Sequence, residues 1–330
     1  MAEPLRLVFM GSDAIGLPLL DWLEREGRAV ARLVAVVTGP DKPSGRGQAV
    51  RPNSVSKWAA GRGLAVLQPE RLDAAALAAL AELRPDVSLV VAFGHILGDA
   101  FIALPRLGTL NLHASRLPSY RGASPIQAAI ASGDGGTAMT LMRIVRELDA
   151  GPVADDEPVA ILPLDTAQEV EAKLAAAAVP LAARTLPALA RGELMFRAQD
   201  HARASYCRRL DKSDGVLDFT ATAPELSRRI NALHPWPSAS VDIAGTRVRL
   251  GVADSLESAS PEAAGTVVGS DGHGLLVSTG SGVLRLRRLQ RPGGRMLDAP
   301  EFLRGFAVPV ATALASQPMP ALVSTSPFRR

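Results

Sequence analysis

The chain has 330 residues, enough for two domains at ~100–200 residues each. With 47% hydrophobic and 21% charged residues it has the composition of an ordinary globular protein, which disfavours a disordered, collagen-like or coiled-coil chain. No apolar stretch reaches the ~18 residues of a membrane span, the first residues lack the form of a secretory leader, and Cys207 is the only cysteine. We therefore expect a cytoplasmic protein without a membrane anchor, an internal disulfide or a thiolate zinc cluster.

The net charge of +3 is distributed unevenly. Residues 1–200 carry 20 basic and 22 acidic side chains, a balance of −2, whereas residues 201–330 carry 16 and 11, a balance of +5. A basic rear half is typical of a protein that contacts a polyanion, although solvated surface arginines explain the same bias equally well.

Strand and helix patterns alternate through the front half of the chain. Apolar runs predict strands over 5–10, 32–38, 64–68, 86–93, 108–113, 137–144 and 152–159. Helical spacing predicts helices over 15–26, 53–61, 73–84, 98–104, 124–132 and 166–190. Because alternating strands and helices form right-handed crossovers, we expect an α/β domain with a Rossmann-like, mostly parallel sheet.

The rear half changes character after Asp214, where short strands are separated by glycine turns and a single helix is predicted over 224–233. This pattern predicts a small C-terminal β-barrel, of the OB-like kind. We therefore expect one domain over 1–190, a linker over 191–208, a barrel domain over 209–315 and a loose Pro- and Ser-rich tail over 316–330.

Polar residues at the ends of predicted parallel strands are candidates for function, because ligands of such sheets lie beyond the carboxyl ends of the strands. The first such loop, Gly11-Ser12-Asp13, lacks the dinucleotide fingerprint, which argues against a nucleotide-binding oxidoreductase, and a helix N-cap is the simpler interpretation. Asn111 and His113 share one face of the strand over 108–113. An amide beside an imidazole can hold a developing oxyanion, although a buried histidine and a capping asparagine give the same pattern.

Asp149 lies in a predicted turn before Gly151 and Pro152, where it is either an acid–base partner for His113 or only a turn residue. The five histidines form no i, i+4 pair, so we expect no metal site. No nucleophile elbow is present, and Cys207 lies in the predicted linker. We therefore expect no covalent enzyme intermediate.

Several segments of the chain resemble the folate-dependent formyltransferases. The resemblance to the family rests on 111–118, 120–122, 124–127 and the Leu148–Pro152 loop. Four further segments resemble the branch of the family that acts on methionyl-tRNA: 40–47, 92–97, 212–219 and 235–237. The likeness covers roughly residues 5–310, and both halves of the chain contribute to it.

The resemblance implies transfer of the formyl group of 10-formyltetrahydrofolate to the α-amine of methionine on the initiator tRNA, without a metal. Asn111 and His113 would hold the formyl oxygen, and Asp149 would orient the imidazole or relay a proton. The resemblance assigns folate binding to Phe93, Ile96, Leu97, Ser115, Arg116, Leu117 and Pro118. Lys42 and Arg46 would contact the tRNA. Without the resemblance, the sequence of their loop predicts only a solvated hairpin.

Arg285 and Arg287 share a face of a predicted rear strand, which favours either a phosphate-binding stripe or an ordinary solvated surface. Ala114, Arg116 and Ala150 depart from the family pattern, whereas the three catalytic side chains agree with it. The rival functions are a formyltransferase for a sugar-nucleotide amine and a non-catalytic RNA-binding protein. We expect a monomer.

Overall fold

The computed structural model describes residues 3–44, 49–258 and 260–328, and the apolar runs of the front half form a seven-stranded sheet there. The strands are β1 (Leu5–Met10), β2 (Ala31–Val37), β3 (Lys42–Ser44), β4 (Ala49–Arg51), β5 (Val66–Leu67), β6 (Val87–Val90), β7 (Thr109–His113), β8 (Arg121–Gly122), β9 (Gly136–Arg143) and β10 (Val153–Ala160). The helices are α1 (Leu17–Glu24), α2 (Ser54–Ala60), α3 (Ala74–Glu82), α4 (Asp99–Ala103), α5 (Pro125–Ser132) and α6 (Ala167–Ala190).

The sheet has the strand order β10-β9-β7-β6-β1-β2-β5. β1 is parallel to β2 and β6, β6 is parallel to β7, and β2 is parallel to β5, whereas β7 is antiparallel to β9. The predicted Rossmann-like, mostly parallel sheet is therefore confirmed. Its order places the carboxyl end of β7 next to that of β6, so that the loops after these two strands lie side by side.

Side chains at helix starts satisfy backbone N–H groups that have no partner within the helix. Asp13 accepts a hydrogen bond from Ile15 N at the start of a short 3-10 helix before α1, in agreement with the N-cap interpretation of the first loop. Asn53 caps α2 by accepting from Val55 N and Ser56 N. These caps fix where the helices begin relative to the strand ends before them.

The rear half is built from β11 (Tyr206–Cys207), α7 (Ala223–Leu233), β12 (Ser240–Ile243), β13 (Thr246–Leu256), β14 (Val267–Ser270), β15 (Leu275–Ser278), β16 (Val283–Gln290), β17 (Leu297–Asp298), α8 (Ala299–Gly305) and β18 (Val323–Ser324). β12 to β17 form one antiparallel sheet, with β17 paired to β16. Its inward side chains pack around Phe219, Leu226 and Ile230 in one core. The antiparallel C-terminal domain is confirmed, and along the described strands the sheet is an open half-barrel with the order β12-β13-β16-β15-β14.

The chain divides into two units whose segments alternate along the sequence. The first comprises Met1–Arg121, Ala138–Val159 and Glu171–Ala204, and the second comprises Gly122–Thr137, Ala160–Val170 and Ser205–Arg330. α5 therefore belongs to the second unit, where it packs against α7. The domain bounds expected from the sequence stay a prediction.

The segment 316–328 is not a loose tail, contrary to the expectation. Ser316 Oγ accepts from Phe219 N, Gln317 N donates to Leu217 O, and β18 pairs with β11. Leu322 is buried in a small cluster of the second unit. The Pro- and Ser-rich composition predicted a loose tail here, but backbone and side-chain partners from elsewhere in the unit hold the segment.

A helix able to cross a membrane would have to be long and apolar, and none of the helices in the described part of the chain has both properties.

Candidate active site

β7 places Asn111 and His113 two positions apart, on one face at the carboxyl end of the sheet. Asn111 lies opposite Val90 of β6 and Met142 of β9, and His113 lies opposite Thr140. The imidazole of His113 is only 6% exposed. Its Nε2 lies 3.0 Å from the carbonyl oxygen of Tyr120, which can only accept, so Nε2 carries a proton and donates.

Asp149 lies in the turn between β9 and β10, with a left-handed backbone (φ 49°). Its Oδ2 lies 3.7 Å from Nδ1 of His113, and its side chain is 14% exposed. The structure therefore brings together two residues that lie 36 positions apart in the sequence. It also leaves the carboxylate with access to solvent.

Gly151 makes the turn of Asp149 possible by a close backbone approach. A Cβ on Gly151 would lie 1.9 Å from the carbonyl oxygen of Arg143, which is far below any tolerated contact. Arg143 N in turn donates to Pro152 O at 3.0 Å. The glycine is needed because the turn passes directly over the end of β9.

The two ring nitrogens of His113 differ in what they can do. Nε2 is held by a backbone carbonyl, so Nδ1 is the nitrogen that can take up or release a proton at the site. The carboxylate of Asp149 faces Nδ1, with its Oδ2 3.7 Å from that nitrogen. With the amide of Asn111 on the same strand face, the arrangement offers a hydrogen-bond donor for an oxyanion and a proton carrier beside it.

The structure distributes the predicted apolar folate residues over two environments. Phe93 and Leu97 are buried in the core formed by β1, β6 and α3, and the Phe93 ring stacks at a tilt on His95. Ile96 is 71% exposed. Of these three residues, Ile96 is therefore the one whose side chain is accessible to a ligand, whereas Phe93 and Leu97 pack in the core next to the loop.

The segment after β7 lies beside a cavity of about 400 Å³, lined by Arg116, Leu117, Thr140, Val153 and Asp156. The guanidinium of Arg116 lies 3.1 Å from Asp156. Ser115 is fully buried and holds the turn, because its Oγ donates to Ser119 O. Leu117 and Pro118 are joined by a cis peptide bond.

A second, larger cavity of about 460 Å³ lies between β5 and α3. The linings of the two cavities include neither Asn111 nor His113 nor Asp149. We place the candidate site beside the smaller cavity, because Arg116 and Leu117 follow β7 and Thr140 lies opposite His113. In the described residues no group of three or more His, Cys, Asp or Glu side chains could hold a metal ion.

The candidate tRNA residues differ in how far the structure describes them. Arg46 lies outside the described residues, and of Lys42 only the backbone is described, in the hairpin β3–β4. Arg285 Nη2 lies 2.6 Å from Asp254 Oδ2, and Arg287 Nη1 lies 2.9 Å from the same oxygen. Both arginines of the predicted stripe thus already face a carboxylate.

Ion pairing lowers the pKa of Asp254 and raises the pKa of Arg285. Burial raises the pKa of Asp254, but hydrogen bonds from Arg285 and Arg287 outweigh this effect and hold that pKa below its usual range. Hydrogen bonds to Asp254 and Asp271 raise the pKa of Arg285. The rear strand therefore presents less free positive charge than its sequence indicates.

Sequence reasoning missed Gln199, which lies at the edge of the site. Its Nε2 donates to Asp149 O at 2.9 Å and to Gly151 O at 2.7 Å. Its Oε1 accepts from Nε and Nη2 of Arg121. Gln199 falls in the predicted linker, 50 positions from Asp149, and no local pattern marks it.

The chain matches the family described as "Formyl transferase" over residues 5–186 and "Formyl transferase, C-terminal domain" over residues 209–307. The methionyl-tRNA formyltransferase of Stenotrophomonas maltophilia strain K279a is 40% identical over 304 residues, covering 91% of the chain and 97% of the relative. That of Pseudomonas syringae pv. syringae is 39% identical over 299 residues, covering 90% of the chain and 94% of the relative.

Solved structures share the fold at low identity. The N-formyltransferase of Helicobacter canadensis, solved with folinic acid and dTDP-3-aminofucose, gives a TM-score of 0.64 at 17% identity, covering 86% of the chain and 99% of that structure. HypX of Aquifex aeolicus, solved with tetrahydrofolic acid, gives 0.61 at 15% identity, covering 91% and 47%. At such identities the likeness shows the fold alone.

Proposed function

The chain belongs to the formyltransferase family, among the methionyl-tRNA formyltransferases, and from this premise we propose how its residues carry out the reaction. The reaction transfers the formyl group of 10-formyltetrahydrofolate to the α-amino group of methionine on the initiator tRNA. The observation that carries the proposal is the 3.7 Å approach of Asp149 to Nδ1 of His113, beside Asn111 on the same strand face.

The amide of Asn111 stabilises the charge that develops during the transfer. The amine nitrogen attacks the formyl carbon, a C–N bond forms, and the carbonyl electron pair moves onto oxygen. The N–H groups of the Asn111 amide donate to that oxygen, as oxyanion-hole donors do. The attack is direct, so the formyl group is never attached to the protein.

His113 carries the proton that the reaction must move. The attacking nitrogen loses a proton to Nδ1 of His113, and Asp149 stabilises the imidazolium that results. When the carbonyl re-forms, the bond from carbon to N10 of the folate breaks and the proton passes to N10. The products are tetrahydrofolate and formyl-methionyl-tRNA, and the imidazole returns to its neutral form.

The cavity at Arg116 and Leu117 fits a folate in chemical character, because it combines a cation, a carboxylate and apolar carbon. We assign the folate to this cavity and to Ile96, with Ser115 and Pro118 shaping the turn that borders it. Phe93 and Leu97 act in this proposal through packing beneath the loop of Ile96.

The tRNA is bound in part by Lys42, in β3, and by Arg46, four positions later in the sequence. Arg285 donates to Asp254 and Asp271, and Arg287 donates from Nη1 to Asp254, so we assign these two arginines a smaller part of the binding. The reaction belongs to translation, and we place it in the cytoplasm. The protein acts as a monomer in this proposal, which sedimentation would test.

The decisive experiment is incubation with 10-formyltetrahydrofolate and methionyl initiator tRNA, followed by measurement of formyl-methionine. In Asn111→Ala and in His113→Ala we expect turnover to fall on the order of 10² to 10³-fold, the cost of removing one oxyanion or proton-transfer group. Binding of the tRNA, measured separately, should stay within twofold of the wild type. Wild-type turnover in both variants would refute the assignment of the site.

Two further outcomes distinguish the rival functions. Formylation of a sugar-nucleotide amine in preference to the methionyl-tRNA would favour the sugar enzyme whose fold this chain shares. Binding of tRNA without any formyl transfer by the wild type would favour a non-catalytic RNA-binding protein.

A further inference from the structure

Gln199 connects the loop of Asp149 to a buried arginine of the same unit. The guanidinium of Arg121 donates twice to Oε1 of Gln199, from Nη2 at 2.7 Å and from Nε at 3.1 Å. Arg121 is 2% exposed and Gln199 is 8% exposed. Hydrogen bonds from a charged donor inside a protein are strong and directional, so Arg121 fixes the orientation of the glutamine amide.

The other end of that amide holds the turn on which the carboxylate lies. With Oε1 bound to Arg121, the NH₂ group points away from the guanidinium and donates to the carbonyl oxygens of Asp149 and Gly151. Two carbonyls that flank one residue are thus bound by a single nitrogen. This contact holds Asp149 in its left-handed conformation, which a free turn would adopt only part of the time.

The same short segment also holds the imidazole. Tyr120, which precedes Arg121, supplies the carbonyl that accepts the Nε2 proton of His113. The dipeptide Tyr120-Arg121 therefore holds both partners of the His113–Asp149 pair. Tyr120 holds His113 by its backbone carbonyl, and Arg121 holds the turn of Asp149 through Gln199.

We propose that Gln199, oriented by the buried guanidinium of Arg121, is a positioning residue that holds the carboxylate of Asp149 against Nδ1 of His113. The proposal rests on the proposed function, in which that pair carries the proton. Gln199 touches neither substrate in this account, and it acts only through the backbone of the Asp149 turn.

Gln199→Glu tests the proposal with the smallest change. A glutamate keeps the acceptor for Arg121, so the buried cation stays paired, but it removes both N–H donors to the turn. We expect kcat to fall about 10- to 100-fold, with KM for 10-formyltetrahydrofolate unchanged within twofold. Gln199→Met, which removes donors and acceptor together without a new charge, should show the same split between kcat and KM.

A double-mutant cycle separates positioning from general stability. Once Asp149→Asn has removed the carboxylate, adding Gln199→Glu should cost less than threefold, because there is no charge left to position. An equal loss of kcat in both backgrounds would overturn the proposal, and so would wild-type kcat in Gln199→Glu.

Asn231→Asp is the matched control. Asn231 is a buried amide in α7 that donates to Ala253 O and accepts from Ala253 N, so the same amide-to-carboxylate change removes a donor to a backbone carbonyl in the second unit. It should lower the melting temperature and leave kcat at 25 °C unchanged in both backgrounds.

A substrate-free measurement keeps this proposal separable from the proposed function. In protein with ¹⁵N-labelled histidine, the Nδ1 signal of His113 should move in Gln199→Glu and in Gln199→Met, and stay in place in Asn231→Asp. If the wild type fails to formylate tRNA but these shifts appear, the proposed function fails and the positioning role stands. An unchanged Nδ1 signal in both Gln199 variants would overturn the positioning role.

Discussion

Asp149 combines a reactive carboxylate with a backbone conformation that few side chains tolerate. Its φ of 49° lies in the left-handed region, where aspartate and asparagine are enriched among non-glycine residues. Asparagine therefore replaces Asp149 without a change in backbone preference, removes the negative charge and puts an NH₂ group in place of one carboxylate oxygen. The substitution separates the two interpretations that the sequence left open, a turn residue and a partner of His113.

We expect Asp149→Asn to lower kcat on the order of 10² to 10⁴-fold, the range found when a carboxylate that orients a catalytic histidine is replaced by its amide. The melting temperature should stay near that of the wild type. Turnover and thermal unfolding of the same preparation provide the measurement.

Asp242→Asn is the control, because Asp242 accepts from Gly245 N in the turn between β12 and β13, outside the site. An Asp149→Asn protein that merely unfolds, with full turnover per folded molecule, would return Asp149 to the role of a turn residue.

At the scale of elements, the hairpin β3–β4 is anchored at its base by polar side chains of the sheet edge. Asn53 Nδ2 and Gln68 Nε2 both donate to Gly39 O, at 3.0 and 3.1 Å. Ser12 Oγ accepts from Gly39 N at 2.9 Å. Gly39 lies three residues before Lys42, so these bonds fix where the hairpin leaves the sheet.

Removing one hydrogen bond of this anchor should weaken the binding of methionyl-tRNA and leave the binding of 10-formyltetrahydrofolate unchanged. Asn53→Asp keeps the oxygen that caps α2 and removes the donor to Gly39 O. We expect KM for methionyl-tRNA to rise about three- to tenfold, with KM for 10-formyltetrahydrofolate unchanged. Steady-state kinetics with each substrate varied in turn make the measurement.

Asp73→Asn provides the control, because it makes the same kind of change at the N-cap of another helix, α3, where Asp73 accepts from Ala76 N. A parallel rise of both KM values in Asn53→Asp would show that the anchor serves the sheet rather than the hairpin.

The elements were predictable where a short-range physical rule determines them. β1 and α6 follow from a continuous apolar run and from helical spacing, and the structure has them within a residue of the predicted bounds. Asn111 and His113 were predictable as neighbours because a strand has a period of two. Gln199 was not, since its contact with Asp149 spans 50 residues and depends on how the chain folds back.

In the rear half, the sequence alone likewise could not show which charged side chains are paired. The sequence indicates a basic stripe at Arg285 and Arg287, but strand pairing sets Asp254 of β13 directly opposite Arg285. Long-range pairing thus converts two apparent surface charges into an ion-paired cluster. Counting charges along the chain could not reveal this.

For the molecule as a whole, the ion-paired cluster of Arg285, Arg287, Asp254 and Asp271 makes the second unit less stable at acid pH. The pKa of Asp254 lies below its usual range in the folded state, because hydrogen bonds from Arg285 and Arg287 outweigh burial, and the pKa of Asp271 is lowered similarly. The unfolded chain therefore takes up these protons first as the pH falls. The stabilisation is fully present above the unfolded value of ~3.9 and is lost as the pH falls from there through the lower folded values.

Asp254→Asn should remove much of this dependence. We expect the variant to be less stable than the wild type at pH 6, with a free energy of unfolding that declines less steeply between about pH 4 and pH 2.5. Arg285→Met should also make the free energy of unfolding decline less steeply over this pH range, because it removes the donors that lower the pKa of both carboxylates. Urea unfolding across this pH range measures the slopes, and a wild-type slope in both variants would mean that acid sensitivity arises elsewhere in the molecule.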